Sequence, residues 1–364
     1  MQKTNLKGLT IPELEEFFIS IGEKKFRGQQ AFSWLYSRKA DSFDDITVFS
    51  APLRAKLAEV AEIGRIEITD MQISNVDETT KFLFRLHDGN HVEAVLIPSE
   101  SRDDEEHPKR QTLCISTQVG CPLDCQFCAT ASMKVKRNLT TFEILDQFLQ
   151  VQKRVPHRLT NIVYMGMGEP MLNYENVMKS VEIFAHEESN LVSASHITIS
   201  TAGIVDGILR MAEEKRKVKL AISLHTLDDE LRSKLMPINK KYPLDMLLSA
   251  VEKYYHASRR RPTFEYILFD KLNDTDADAR RIIALAKRFP CKFNIIPFHP
   301  IDFTQPEGIA AQLVPTPRKR VDEFVHRLRA GNVTVMIRSS SGKDIDAACG
   351  QLAVKKEKEE LVHW

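Results

Sequence analysis

Between residues 112 and 338 short apolar runs alternate with segments whose apolar residues recur at helical spacing. This alternation limits the possible folds more than any other feature of the chain. Strands are expected at 112–118, 161–166, 196–200, 218–223, 263–269 and 292–297, with helices near 141–154, 174–186, 204–214, 244–256 and 275–288. A strand, a crossover helix and a second strand make a right-handed parallel unit. Six such units in a row predict a parallel sheet curved into a complete or partial barrel, extended by a helix near 316–329 and a strand over 333–338.

The residues before this region read differently. In the first sixty, Pro12 stands where a helix begins, and Leu14, Phe17, Phe18 and Ile21 follow at helical spacing. A second helix carries Phe26, Ala31, Phe32, Leu35 and Tyr36 among Lys24, Lys25, Arg27, Arg38 and Lys39, a pattern that fits a solvated face or a grip on phosphates. From 66 to 97 the period changes to two. Runs 81–86 and 91–97 flank His87-Asp88-Gly89-Asn90, a hairpin signal. Glu93 shares a face with Val95 and Ile97, so its carboxylate is either an edge charge or a partly desolvated base. Residues 99–110 form a charged linker. The expected fold class is therefore α/β, a partial (β/α)6 barrel (101–350) with a helical accessory domain (1–60), a β-hairpin extension (61–100) and a C-terminal tail (351–364).

Composition narrows the setting. A chain that is 43% hydrophobic can bury a substantial core. Lys+Arg 51 against Asp+Glu 50 leaves a net charge of +1, so any basic footprint for a polyanion must be local. No apolar leader and no long uncharged apolar stretch is present, which predicts a cytoplasmic protein without a membrane partner. Six cysteines, three of them in one short motif, fit a reducing compartment.

That motif is Cys121-Pro122-Leu123-Asp124-Cys125-Gln126-Phe127-Cys128. Thiolates are soft ligands for iron-sulfur clusters, zinc or copper(I). A cubane cluster needs one ligand per iron, so three cysteines leave one iron open to chelate the amino and carboxylate groups of S-adenosylmethionine (SAM). Other readings remain: structural zinc completed by Cys114 or His107, a disulfide framework of the kind found in small secreted domains, or three buried thiols acting as apolar residues. The strand exits add polar groups: Gly166-Met167-Gly168-Glu169-Pro170, Ser200-Thr201, Ser223-Leu224-His225, and His299 in Phe298-His299-Pro300. Each alone reads as a turn or a satisfied structural group. Four exits facing one barrel mouth read as a site.

The clip with Phe127 before its last cysteine, the Gly-Glu-Pro turn and the parallel units resemble the radical-SAM superfamily. Thr112-Leu113-Cys114, Gln118-Val119-Gly120-Cys121, Arg137-Asn138-Leu139 and the run from Asp344 through Cys349 to Leu352 narrow the resemblance to the RlmN/Cfr group of RNA adenine methyltransferases, over nearly the whole chain. The resemblance implies a radical-SAM barrel with one [4Fe-4S] cluster per chain on Cys121, Cys125 and Cys128. It implies SAM contacts at Gly168, Glu169, Ser200, Ser223, Leu224, His225 and His299. Family members often have asparagine at the last position, and an imidazole replaces an amide only in a suitable tautomer.

Chemistry requires such a cofactor pair, because carbon 2 of adenine is electron-poor and the SAM methyl group is itself an electrophile. In the family, one SAM methylates the cysteine matching Cys349 and a second yields a deoxyadenosyl radical that takes hydrogen from that S-methyl group. The methylene then adds to the ring, Glu93 matching the proposed proton acceptor. Cys114 matches the second catalytic cysteine, which helps remove the ring proton and forms a disulfide with Cys349 on product release, so the resemblance offers two candidate bases for one proton. The implied partners are 23S rRNA in the peptidyl-transferase centre, the tRNA adenosine next to the anticodon, and an electron donor such as flavodoxin. Lys134-Val135-Lys136-Arg137, Lys215-Arg216-Lys217, Lys240-Lys241 and Arg259-Arg260-Arg261 are candidate phosphate contacts. A Cfr-like enzyme acting on carbon 8 shares the same cysteines, and a zinc-stabilised RNA-binding module without catalysis is the alternative from another class.

Overall fold

The computed structural model describes residues 3–99, 110–338 and 341–352. Its centre is a ten-stranded sheet in the order β14-β13-β12-β11-β10-β9-β6-β5-β4-β3. The parallel part comprises β6 (Gln111–Cys114), β9 (Asn161–Tyr164), β10 (Ile197–Thr201), β11 (Lys219–Ser223), β12 (Thr263–Leu268), β13 (Lys292–Pro297) and β14 (Val335–Ile337). Three antiparallel strands, β3 (Glu67–Ile73), β4 (Thr80–Arg85) and β5 (His91–Pro98), continue the same sheet through the pairing of β5 with β6. Sequential strand order with helical crossovers makes an open partial barrel, as the alternation predicts.

The crossover helices are α4 (Thr141–Arg154), α5 (Tyr174–Ala185), α6 (Val205–Glu213), α8 (Leu244–Ser258), α9 (Asp276–Arg288) and α10 (Arg318–Ala330). Their starts have local causes. Thr140 and Glu143 form a capping box at α4, and Thr275 and Asp278 another at α9. Glu143, fully buried, is also held by both arms of Arg137 at 2.8 Å, which ties the Arg137-Asn138-Leu139 motif to the helix start.

In front of the barrel lie α1 (Ile11–Ser20), α2 (Arg27–Tyr36) and α3 (Ala51–Val60), with β1 (Thr4–Asn5) paired in parallel to β2 (Ala61–Glu62). Leu14, Phe18, Phe32 and Leu57 are buried in a core shared with the barrel. The junction includes a buried ion pair, Lys7 Nζ to Asp146 Oδ1 at 2.7 Å, while Asp146 Oδ2 accepts from the Ile66 amide at 2.7 Å.

Three details depart from the periodicity. The strand expected over 112–118 stops at Cys114, because Gln147 binds both the amide and the carbonyl of Ser116 and the Ser116 hydroxyl bridges Glu93 O and the Met167 amide. Gln118–Val119 (β7) then pairs separately with Arg137–Asn138 (β8). A short helix not expected from the pattern, α7 (Asp229–Leu235), is capped by Asp228. The linker expected over 99–110 lies outside the described residues except at its ends, where the Ser99 amide donates to Arg110 O at 2.8 Å. Of the expected tail, 353–364 also lies outside them. Among the described residues no helix is long and apolar enough to cross a membrane.

Candidate active site

The cysteine clip leaves β7 through Gly120, whose φ is +76° and where a Cβ would lie 2.4 Å from Lys134 O. Cys121, Cys125 and Cys128 line one wall of a cavity of roughly 890 Å³ counting its open mouth. Burial pushes the Cys121 thiol up to about 12 and that of Cys125 well above the usual range, so both hold their protons until a cation displaces them. Among the described residues no group of three His, Cys, Asp or Glu side chains is drawn together as a ready-made metal site. His107 lies outside those residues. Three soft thiols along one wall suit a cluster in which each binds a different iron.

Opposite the clip are the strand exits. Gly168, with φ +94°, packs against Gln118 so closely that a Cβ would lie 2.5 Å from Gln118 Cβ. The next residue, Glu169, is buried; its carboxylate accepts from the amides of Ala202 at 2.8 Å and Met171 at 3.0 Å. Burial still pushes it up to about 7, against the pull of those amides. Ser200, Ser223 and His225 line the same cavity. His225 holds a left-handed backbone at φ 57°, its Nδ1 accepts from the Ile267 amide at 3.1 Å, and its ring meets Phe127 edge-on at 4.5 Å. Burial, aided by Arg232, pulls its pKa down to about 3, so the ring stays neutral with Nδ1 as acceptor.

The C-terminal segment closes the cavity. Cys349 reaches it beside the clip, where the Ala129 amide donates to Gly350 O at 2.6 Å. Cys114, at the end of β6, is buried, and burial followed by the nearby Cys349 sulfur pushes its thiol up to about 12. Arg338 faces the same groups: burial disfavours its charge, but Cys349, Glu265 and Cys114 outweigh that and raise its pKa. All six cysteines are free thiols, so the disulfide implied between Cys114 and Cys349 is not formed in this structure.

Some expected residues stand elsewhere. Leu224 is buried in the core and does not line the cavity; its carbonyl accepts from Arg232 Nε at 3.2 Å. His299 is half-buried and does not line the cavity; its enclosed Nε2 has no hydrogen-bond partner among the described residues. Glu93 is buried on β5 next to Lys81 Nζ at 3.7 Å, again not on the cavity wall. Of the basic runs, Arg137 is bound to Glu143 and Asp88, Arg216 to Glu214, and Arg261 to Cys291 O and Thr334. Cys291 is a buried core residue.

The sequence reading missed Glu265, Arg338 and Arg232. Glu265 is a lone carboxylate inside an apolar strand, the same signal that singled out Glu93. It lines the cavity, with Oε1 held by Asn294 at 2.9 Å and Oε2 without a hydrogen-bond partner among the described residues.

Residues 4–63 match the family described as the ribosomal RNA large subunit methyltransferase N-terminal domain, and residues 115–283 match the radical SAM superfamily. The chain is 44% identical over 351 residues to the dual-specificity RNA methyltransferase RlmN of Geobacter sulfurreducens, covering 96% of this chain and 92% of that protein. It is 42% identical over 358 residues to the probable dual-specificity RNA methyltransferase RlmN of Christiangramia forsetii, covering 97% of each. The crystal structure of a radical SAM methyltransferase from Sphaerobacter thermophilus superposes with a TM-score of 0.86 at 40% identity, covering 96% of this chain and 98% of that one. With such relatives spanning nearly its whole length, the chain belongs to the RlmN family of radical SAM RNA methyltransferases.

Proposed function

We propose that this enzyme methylates carbon 2 of adenine in 23S rRNA, at the peptidyl-transferase centre, and in the tRNA position next to the anticodon, with Cys349 carrying the methyl group. What supports the reading is the convergence of the clip thiols and Cys349 on one cavity, with Cys114 close behind Cys349. The relatives' dual-specificity names support two RNA classes.

In this reading Cys121, Cys125 and Cys128 hold one [4Fe-4S] cluster, and SAM binds at Gly168, Glu169, Ser200, Ser223, the Leu224 backbone and His225, with His299 joining on closure. Bound there, the cluster and SAM supply the one-electron cleavage that generates a 5'-deoxyadenosyl radical. The chain does the rest. Glu169 accepts from the SAM ammonium in its ionised form, and neutral His225 offers Nε2–H to an acceptor. The Cys349 sulfur first displaces a methyl group from SAM as its own proton is lost, a step favoured by the neighbouring guanidinium of Arg338. After hydrogen is taken from that methyl group, its carbon would bond to the adenine ring. The ring would then lose one proton, for which Glu93 and Cys114 are the two candidate acceptors, and one electron, which would return to the iron-sulfur centre, so that the ring is aromatic again. Cys114 then attacks the Cys349 sulfur and breaks the carbon-sulfur bond. The electron pair of that bond and one proton complete the new methyl group, leaving the two sulfurs as a disulfide. The target base must leave its stack to enter the cavity. A flavodoxin-like donor supplies the electron.

Nucleoside mass spectrometry tests the reading. RNA fragments treated with anaerobically reconstituted protein and SAM are expected to gain 2-methyladenosine. A product of 8-methyladenosine, or no methylated adenosine, would overturn it.

A further inference from the structure

Arg232 poses a problem that the reaction scheme does not answer. It lies on α7 and is only 1% exposed, yet the oxygens that receive its hydrogen bonds are neutral. Nε donates to Leu224 O at 3.2 Å, Nη1 to Asn239 Oδ1 at 2.7 Å, and Nη2 to Ala202 O at 2.8 Å and Ser223 O at 2.9 Å. Among the described residues no carboxylate forms an ion pair with it. Asp229, the nearest acidic influence, is engaged by Asn239 Nδ2 at 2.9 Å and the Leu244 amide at 3.0 Å. Burial pulls its pKa down to about 10, so it remains a cation at neutral pH. A fold seldom buries a charge without an opposite one nearby.

The missing anion belongs on the clip side. The Gln126 amide, next to Cys125, donates to Leu235 O at 2.9 Å, so the last turn of α7 carries the clip backbone. Met236, just beyond that turn, lines the cavity with the three clip cysteines. Cys125 lies close enough that its thiolate, once formed, favours the charged guanidinium. A [4Fe-4S] core of charge 2+ on three thiolates has a net charge of about −1, and about −2 after taking one electron. We propose that Arg232 is the built-in counter-charge of the iron-sulfur centre, a permanent cation on the helix that carries the clip backbone, where it favours uptake of the electron. The inference rests on the assignment of Cys121, Cys125 and Cys128 as cluster ligands. Reduction adds one electron to the centre, and Arg232 keeps its proton throughout. Net charge near a cluster is one of the protein's levers on its reduction potential, and the lever acts on the more negative reduced form.

The same side chain also cross-braces the exits of β10 and β11, so the test must separate charge from bracing. R232Q removes the charge, R232K keeps it with fewer donors, and N239D places a carboxylate against Nη1, keeping that acceptor while giving up the Asn239 Nδ2 bonds to Asp229 and Ser233. Reductive titration of each reconstituted full-length protein, followed by electron paramagnetic resonance of the reduced cluster, gives a midpoint potential. R232Q and N239D are expected to shift it to more negative values, with R232K staying at the parent value. If R232Q does not fold, the N239D and R232K pair decides by the same rule. The proposal is overturned if N239D leaves the potential at the parent value, or if R232K moves as far as the neutral variant. Absence of any [4Fe-4S] signal in the parent protein would instead sink the ligand assignment beneath it.

Discussion

Asp344 Oδ1 accepts a hydrogen bond from Ser74 Oγ at 2.7 Å, joining segments 270 residues apart. Its other oxygen takes the Asn75 amide at 2.9 Å, and Asp77 reciprocates by accepting from the Gly342 amide at 2.8 Å. The turn between β3 and β4 thus holds the segment that carries Cys349. Replacing both acids, D77N with D344N, is expected to raise amide exchange at Asn75 and Gly342 and to slow methyl loading of Cys349 several-fold at unchanged iron content. The bond from Ser74 lowers the Asp344 pKa. At Asp77 burial works the other way, but the bonds from Gly342 and Thr79 prevail. A depressed carboxyl contributes above the unfolded value of about 4 and stops contributing as pH falls through the folded one. Protection of these amides, corrected for intrinsic exchange, should be flat from pH 8 to about 5 and collapse below about 4.

Lys7 and Asp146 are each almost wholly buried, so removing one partner strands the other. K7M is expected to destabilise the fold by about 3–5 kcal/mol in chemical denaturation, and K7M with D146L by clearly less. Equal losses in the two would contradict a pairing role.

Cys125 stands on a loop and carries little of the core. C125A is expected to cost about 1 kcal/mol or less while abolishing the brown chromophore after anaerobic reconstitution. A variant retaining four irons would remove Cys125 from the ligand set.

The two cysteines outside the clip should separate by phenotype. C349A binds iron but accepts no labelled methyl group from SAM. C114A accepts the methyl group and then stays attached to RNA, because the sulfur that releases the product is gone; a denaturing gel with only free RNA would refute that role.

His225 supplies a pH test. Its folded pKa of about 3 lies below the unfolded value of about 6.5, so its contribution is complete above pH 6.5 and declines as pH falls toward 3. Going from pH 7 to pH 5 should cost about 2 kcal/mol of unfolding free energy from this residue, a loss that H225Q abolishes. An identical pH slope in the variant would place the titration elsewhere.

Most of the barrel was readable because its strands are apolar and its helices keep a 3.6-residue period; α4 falls on 141–154 as expected. The short helix α7 escaped, since its seven residues, Asp-Glu-Leu-Arg-Ser-Lys-Leu, look like a solvated turn. Arg232 escaped with it, because nothing local distinguishes a buried arginine from an exposed one. Glu265 carried the signal that exposed Glu93 and was passed over in a strand that otherwise read as pure core. The grip of Asp344 on Ser74 has no local trace at all, because its partners meet only after the sheet has formed.

The bond from the Ala129 amide to Gly350 O ties the final residue of the clip's neighbourhood to the arm bearing Cys349. Assembly of the two halves of the reaction chamber is therefore interdependent. Disturbing the clip loop is expected to loosen that arm, read as faster proteolysis of the C-terminal region in C125A than in the parent protein. The clip and the carbon carrier are thus expected to settle together, each sensing the other through that backbone bond.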